Sequence, residues 1–386
     1  MVTAMSELPG DLIKEILSRV PLSSLRALRC TCKTWKALSK NHIVGKTDAG
    51  STFLGFTVMD YMLCSMKLDL QGTRDDNGNL VYLPSVNRVW LLEQAEICEV
   101  FHWDGLLLCV IKDERRLLVW NPYLRQLKWI ETRDKLHSSY MYGLGYENNN
   151  NNNNRNHKIL RLFDVNKSPE LGPLFEIYDF NSNSWRVLNV DPGNCIIKSG
   201  VSLKGNTYFL AMEIRLEGSV VVTGQYFLLC FDFTAERFGQ HLVLPFGAGV
   251  GFTKTVVLSS VRDEQLAVLH QPEVSNVMEF WITSKIEPNA ASWTRFLRKE
   301  KIPPSFVAES FFIDEEKKLA LVSGFLNFYG KIYKRAYIIE EQRDIESVEE
   351  IRTAREPGNK LVFSSYAPSL VQVQINGRGK RKERDY

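Results

Sequence analysis

Apolar residues recur every three or four positions through the first 45 residues of the chain, whereas from about residue 50 they alternate with polar residues. The first spacing predicts short α-helices and the second predicts β-strands. The apolar stripe of the first helix consists of Leu12, Ile13, Ile16, Leu17 and Val20. Pro21 ends this helix because proline has no amide hydrogen to donate, and two further short helices are predicted between Leu22 and Leu38.

The alternating runs of the body share one form, in which a strand ends in an aromatic residue and is followed by a turn and a second aromatic residue. Examples are "LLVWNPYLRQLKWI" and "FEIYDFNSNSWRVL". The strand-ending aromatics are Trp120, Tyr178, Phe231, Trp281 and Tyr337, at separations of 58, 53, 50 and 56 residues. A period near 50 residues is typical of kelch-like propeller blades, each of which is a four-stranded sheet.

Met66 stands 54 residues before Trp120 and adds a blade at the front, so the body is predicted to be an all-β domain, a kelch-like β-propeller of about six blades. The apolar run at 360–373 is expected to supply a strand that closes the ring against the first blade. A β-sandwich or an irregular barrel of short strands is the alternative for this pattern.

Length and composition agree with one large domain and one small domain, since the chain has 386 residues of which 44% are hydrophobic. The net charge of +3 gives no field over the whole chain that would attract nucleic acid. The N-terminus has neither an apolar signal segment nor a run long enough to span a membrane. Seven scattered cysteines predict free thiols without disulfides. We therefore expect a soluble protein of the cytoplasm, the nucleus or both.

Motifs of catalysis, metal binding and phosphate binding were not found in the sequence. The six histidines lack metal-ligand spacing, and the pair Cys30 and Cys32 falls within a predicted packing helix. "GLGYEN" lacks the third glycine of a dinucleotide loop, and "GFLNFYGK" has five residues between its glycines where a P-loop has four. The sequence therefore assigns no catalytic residue, no metal ligand and no cofactor.

Two segments differ from the body in composition. Residues 148–156 contain seven consecutive asparagines and predict an expanded loop between strands. Residues 376–386 form a basic tail, which is expected to be disordered. A nuclear-import or weak nucleic-acid patch is the alternative for this tail.

The N-terminal segment resembles an F-box over about 40 residues, from Leu8-Pro9 through Pro21 and Leu25 to the pair Cys32-Lys33 and Trp35. The resemblance implies a helical plug that docks onto a Skp-type adaptor, and through it onto a cullin and a RING subunit. Val20 and Thr31 depart mildly from the usual Leu and Val at these positions. The residues that the resemblance assigns to adaptor binding are Leu8, Pro9, Leu12, Ile13, Ile16, Leu17, Val20, Pro21 and Leu25.

The body resembles the F-box-associated interaction domain of a large plant family, through stretches such as "VFHWDGLLLC", "VWNPYLRQLKWI" and "YDFNSNSWRVL". The predicted organisation is an F-box at 1–45, a substrate-recognition propeller at 46–375 and the tail at 376–386. The resemblance implies a non-catalytic receptor of an SCF-type ubiquitin ligase that recruits a protein target, with no residue assigned to target binding. The alternative is a propeller that binds a ligand or catalyses a reaction, with the N-terminal helices as a cap.

Overall fold

The structure of the protein is a computed structural model. It describes residues 52–74, 80–89, 92, 95–112, 116–132, 140–147, 155–163, 174–217, 220–246, 253–262, 264–272, 276–328, 331–343, 346–348, 366, 369 and 371–373. The predicted F-box with its three helices, the asparagine tract and the basic tail lie outside these residues. The predicted domain boundaries therefore remain predictions.

The described strands form six consecutive blades, each an antiparallel sheet, and in blades 2–6 the paired strands are adjacent in the sequence. Blade 1 has β1 (Thr52–Met59), β2 (Met62–Asp69) and β5 (Pro84–Arg88), with a separate hairpin of β3 (Thr73–Arg74) and β4 (Leu80–Val81). Blade 2 has β6 (Ile97–Trp103), β7 (Leu106–Ile111), β8 (Arg116–Asn121) and β9 (Gln126–Glu131). Blade 3 has β10 (Tyr140–Glu147), β11 (Asn156–Phe163), β12 (Phe175–Asp179) and β13 (Ser184–Leu188).

The second half of the ring has the same order of strands. Blade 4 has β14 (Cys195–Leu203), β15 (Asn206–Glu217), β16 (Val220–Asp232) and β17 (Arg237–Val243). Blade 5 has β18 (Thr253–Val261), β19 (Gln265–Pro272), β20 (Met278–Glu287) and β21 (Ala290–Lys299). Blade 6 has β22 (Phe306–Asp314), β23 (Leu319–Phe328), β24 (Lys331–Glu340) and β25 (Glu346–Ser347). From blade 1 to blade 6, the first strand of each blade contacts the first strand of the next, so these strands line the inside of the ring. The predicted all-β propeller of six blades is confirmed.

The periodic aromatics mark equivalent positions of the blades. Trp120, Tyr178, Phe231, Trp281 and Tyr337 all lie on the third strand of their blades, in β8, β12, β16, β20 and β24. The period of about 50 residues is therefore the blade repeat. Met66 does not fit this alignment, because it lies on β2, the second strand of blade 1. The hairpin of β3 and β4 separates β2 from β5 and delays the third strand of that blade.

Six apolar clusters fill the six interfaces between neighbouring blades. The alternation of side chains along a strand divides its residues between two interfaces. In β8, Leu117 and Val119 face blade 3, whereas Leu118 and Trp120 face blade 1. The continuous apolar runs of the sequence thus belong to strands that are buried on both faces.

The ring closes where blade 6 packs against blade 1. Met66 and Leu68 of blade 1 share an apolar cluster with Leu321 and Ile338 of blade 6. A parallel bridge joins Tyr82 to Val348 at the same interface. The expectation that the 360–373 run would close the ring as a strand is wrong for its described residues, which belong to no strand and pack near blades 1, 2 and 3. Their backbone groups bond to side chains instead of a strand ladder.

The turns between third and fourth strands have one geometry in blades 2, 3 and 4. The third strands end in Asn121, Asp179 and Asp232, and in each case the side-chain Oδ1 accepts a hydrogen bond from a turn amide 2.8–2.9 Å away. The fourth residue after each of them has a positive φ, of 51–55°. Because the strands are antiparallel, the first-to-second and third-to-fourth strand turns lie at the same end of a blade. We call this end of the propeller the turn face.

Candidate interaction surfaces

The residues predicted to bind the adaptor precede the described chain. Leu8, Pro9, Leu12, Ile13, Ile16, Leu17, Val20, Pro21 and Leu25 lie outside the described residues, so their assignment remains a prediction. The described chain begins at Thr52 in β1, which is the innermost strand of blade 1.

The described residues near the C-terminus cross the turn face of blade 2. We call residues 366, 369 and 371–373 the C-terminal strap. The Nδ2 of Asn121 donates to the carbonyl oxygens of Ser369, at 3.1 Å, and Val371, at 2.8 Å. The amide of Val373 donates to Oε1 of Gln126 at 3.0 Å. Blade 2 thus holds the strap through side chains of one turn and of the strand that follows it.

Apolar contacts anchor both ends of the strap. The ring of Tyr366 meets Phe56 of blade 1 edge-on at 5.2 Å and His102 of blade 2 at 5.6 Å. Val373 is 1% exposed and belongs to the cluster between blades 2 and 3. Burial raises the pKa of Tyr366 well above its ordinary value. The strap therefore spans three blades.

An ion network joins blade 3 to blade 4 on the turn face. The Nζ of Lys158 lies 3.1 Å from Oε2 of Glu147 and 2.8 Å from Oε1 of Glu236, and Arg186 also pairs with Glu236. Burial alone would lower the pKa of Lys158, but hydrogen bonds to the two carboxylates outweigh it and raise that pKa. In Glu236 burial acts to raise the pKa, and the bonds from Arg186 and Lys158 overcome it and lower the pKa. The network is fully paired and stabilises this interface.

Contacts also hold both ends of the asparagine-rich loop. Glu147, which ends β10, is bound by Lys158. On the other side Arg155 pairs with Asp104 at 3.2 Å and lies 4.3 Å from the centre of the Tyr146 ring. Asn156 is the first residue of β11, so it belongs to the sheet. The described residues on both sides of the asparagine tract are therefore held at the turn face.

A buried ion pair lies within blade 3. Arg161 of β11 stands directly opposite Glu176 of β12, and its Nε donates to Oε2 of that carboxylate at 2.8 Å. The guanidinium lies 4.5 Å from the ring centre of Tyr140 and 5.1 Å from that of Trp185. The indole Nε1 of Trp185 in turn donates to the carbonyl oxygen of Glu131 in blade 2 at 2.9 Å. The ion pair and the two rings thus form one cluster within blade 3, and the indole hydrogen bond connects this cluster to blade 2.

Exposed large apolar side chains are scattered around the outer rim. Trp129, Val187 and Val243 lie on the fourth strands of blades 2, 3 and 4, and Ile332 and Tyr333 are adjacent in β24. Single exposed residues of this kind are normal for a soluble protein surface. They do not by themselves mark a target-binding site.

The described residues include several side chains whose pKa is shifted by burial. Among the described residues, no group of histidine, cysteine, aspartate and glutamate side chains could hold a metal ion. Burial raises the pKa of Cys109 and Cys230 to about 12 and, together with Asp191, that of Cys195 to about 11. Burial also lowers the pKa of His102 to about 4, against the opposing effect of Asp104. Within the described ranges no helix has the length and apolarity of a membrane span.

Sequence reasoning missed the ion pairs and the strap. Lys158 and Arg161 are charged residues inside the apolar run "HKILRLF". A charge within a buried strand requires a partner of opposite charge, so this pattern indicates an ion pair. The strap carried a weaker signal, namely an apolar run without the turn and second aromatic of a blade. Asn121 was noted only as part of the stretch "VWNPYLRQLKWI".

Comparison with known proteins covers almost the whole chain. The model of the F-box associated beta propeller domain matches residues 54–373, and that of the F-box domain matches residues 5–47. An F-box/kelch-repeat protein of Arabidopsis thaliana is 47% identical, with 99% of this chain and 100% of that protein covered. Two F-box proteins of the same plant are 47% and 45% identical, with 98% and 97% of this chain and 100% of each of them covered. The chain therefore belongs to the plant F-box proteins in which an F-box is followed by an F-box associated beta propeller domain.

Proposed function

We propose that the chain is the substrate-recognition subunit of an SCF-type cullin-RING ubiquitin ligase. The observation that carries the proposal is an F-box domain match at 5–47 directly before a six-bladed propeller matched at 54–373. The F-box would bind a Skp-type adaptor, and the propeller would bind a protein target for ubiquitination and degradation. The chain would act by proximity, because a tethered target has a high effective concentration near the ubiquitin-charged conjugating enzyme.

The proposal assigns the adaptor contact to the apolar residues of the N-terminal segment. These are Leu8, Pro9, Leu12, Ile13, Ile16, Leu17, Val20, Pro21 and Leu25. The adaptor would link them to a cullin and a RING subunit, which carry out ubiquitin transfer, so the chain itself contributes no catalytic group. We further propose the cytoplasm, the nucleus or both as its compartment, which the five described free cysteines support.

Affinity for a purified Skp-type adaptor tests the proposal. The full chain is compared with a double variant, Leu12→Asp with Leu17→Asp, and with Ser18→Asp as a matched control. Ser18 lies on the opposite side of the predicted helix from the apolar stripe, so its variant adds a charge without entering the contact. We expect the double variant to weaken binding by about 100-fold or more, because an unpaired charge is buried in an apolar interface.

Circular dichroism shows whether each variant remains folded. Binding by the wild type and by Ser18→Asp, with loss in the folded double variant, supports the docking role of the N-terminal segment. If the folded wild-type chain does not bind the adaptor, the proposed role is wrong, and a propeller with capping helices becomes the better account.

A further inference from the structure

The side chain of Asn121 makes two kinds of hydrogen bond at one buried position. Its Oδ1 accepts from the amide of Leu124 at 2.9 Å and closes the turn after β8. Its Nδ2 donates to the carbonyl oxygens of Ser369 and Val371, at 3.1 and 2.8 Å. An amide nitrogen carries two hydrogens, so both of its donors are used. The residue is fully buried.

Only the strap requires an amide at this position. In the equivalent turns of blades 3 and 4 the residue is Asp179 or Asp232, and its carboxylate accepts from two backbone amides. An ionised carboxylate closes the turn as well as an amide does, but it has no hydrogen to donate. Asparagine at position 121 is therefore explained by its side-chain nitrogen, which donates hydrogen bonds to the strap.

The described residues of the strap contact blades 1–3 through side chains and belong to no sheet. The carbonyl groups of the strap meet Asn121, its amide at Val373 meets Gln126, and its side chains Tyr366 and Val373 enter the clusters of two different blade interfaces. Backbone bonds combined with pockets for separated side chains are how proteins bind an extended peptide.

We propose that the turn face of blades 1–3 is a peptide-binding groove whose occupant is the C-terminal strap of the same chain. In this groove the side-chain amide of Asn121 recognises the strap through two of its backbone carbonyl oxygens. The strap acts as a clasp that ties the first three blades together. The described strands of blades 1, 2 and 3 form three separate sheets, so this clasp adds a constraint between them that the sheets do not supply.

The variant Asn121→Asp separates the two roles of the residue in the full-length chain. It keeps an acceptor for the amide of Leu124, removes both donors and faces two carbonyl oxygens with a negative charge. Asp232→Asn is the matched control, because it makes the reverse exchange at the equivalent turn, which has no contact with the described strap. The measurement is residue-resolved hydrogen–deuterium exchange.

We expect the amides of Val371 and Val373 to exchange about 10- to 100-fold faster in Asn121→Asp, since two hydrogen bonds to the strap are lost and a repulsion is added. The amide of Leu124 should keep its protection, and the control should leave the strap unchanged. Unchanged protection of the strap in a folded Asn121→Asp variant would overturn the proposal.

A second variant releases the strap, so that an added peptide can be tested as the occupant of the groove. Val373→Asp places a charge at a position that is 1% exposed and should release the strap from an intact groove. A synthetic peptide of residues 364–376 should then raise the thermal transition of Val373→Asp, and should fail to do so for Asn121→Asp. If the peptide does not bind Val373→Asp, or raises both variants equally, Asn121 does not select an occupant and the proposal is wrong.

Discussion

The buried pair of Arg161 and Glu176 gives the sharpest energetic test of the packing between blades 2 and 3. The side chain of Arg161 has no exposed surface and that of Glu176 is 3% exposed. The pair is directly cross-strand, and the cation also lies against the rings of Tyr140 and Trp185. Among the described residues, the Nη1 of the guanidinium has no hydrogen-bond partner. The perturbations are Arg161→Met, Glu176→Leu and the double variant.

The expected magnitudes follow from what each change leaves behind. A single substitution leaves one charge buried without its partner, which costs about 3–5 kcal/mol of the free energy of unfolding. The double variant leaves no charge, and replacing a buried ion pair by apolar residues is neutral or stabilising by about 1–4 kcal/mol. The lost contact between cation and aromatic rings removes about 1–2 kcal/mol of that gain. We therefore expect the double variant to lie within about 2 kcal/mol of the wild type.

Urea denaturation followed by tryptophan fluorescence and far-ultraviolet circular dichroism measures these free energies. The expected pattern is two strongly destabilised single variants and a double variant of nearly wild-type stability. Destabilisation of the double variant by the sum of the two single effects would show that the residues act independently. That result would refute the interpretation of the pair as a compensated buried charge.

Three further changes test other contacts. Lys158→Met should cost about 1–3 kcal/mol, because Glu147 loses its bond to Lys158 and Glu236 keeps Arg186 as its cation, while both carboxylates are only partly buried. The pKa of Glu236 is held below its ordinary value of 4.5, so its stabilisation is present above that pH and is lost as the pH falls through the folded-state pKa. The Lys158→Met variant should therefore lose less stability than the wild type in acid denaturation, and an equal loss would contradict the network. Trp185→Phe should cost about 1–2 kcal/mol through its lost indole donor, whereas the exposed Trp129→Phe should cost under about 0.5 kcal/mol, and equal effects would contradict this. Gly145→Ala would bring a methyl group to 2.1 Å from an aromatic carbon and 2.3 Å from a backbone oxygen, so a thermal melt should show a loss of about 1–3 kcal/mol, and an unchanged melt would contradict that packing.

The propeller was predictable because its signals are local. Alternation identifies each strand, and an aromatic residue recurs on the third strand at an interval of about 50 residues. These signals recur at Trp120, Tyr178 and Phe231, so a sequence period becomes a structural period. Blade 1 was predicted to exist, but Met66 was aligned with the wrong strand because an inserted hairpin breaks the period there.

Contacts between segments distant in the sequence were not predictable in the same way. The partner of Arg161 is set by the register of two strands on either side of a long connection, and the partner of Lys158 lies in another blade. The strap depends on the same kind of information, since Asn121 precedes Ser369 by 248 residues. Local pattern shows that a buried charge or an amide requires a partner, but the packing of whole blades decides which one.

The most direct test of the central claim is a capture experiment with purified full-length chain, Skp-type adaptor and cullin bound to its RING subunit. The account predicts that the immobilised chain retains the cullin only when the adaptor is present, and that Leu12→Asp with Leu17→Asp abolishes this retention while Ser18→Asp does not. Failure of the folded wild-type chain to retain the cullin in the presence of the adaptor would contradict its role as a ligase receptor.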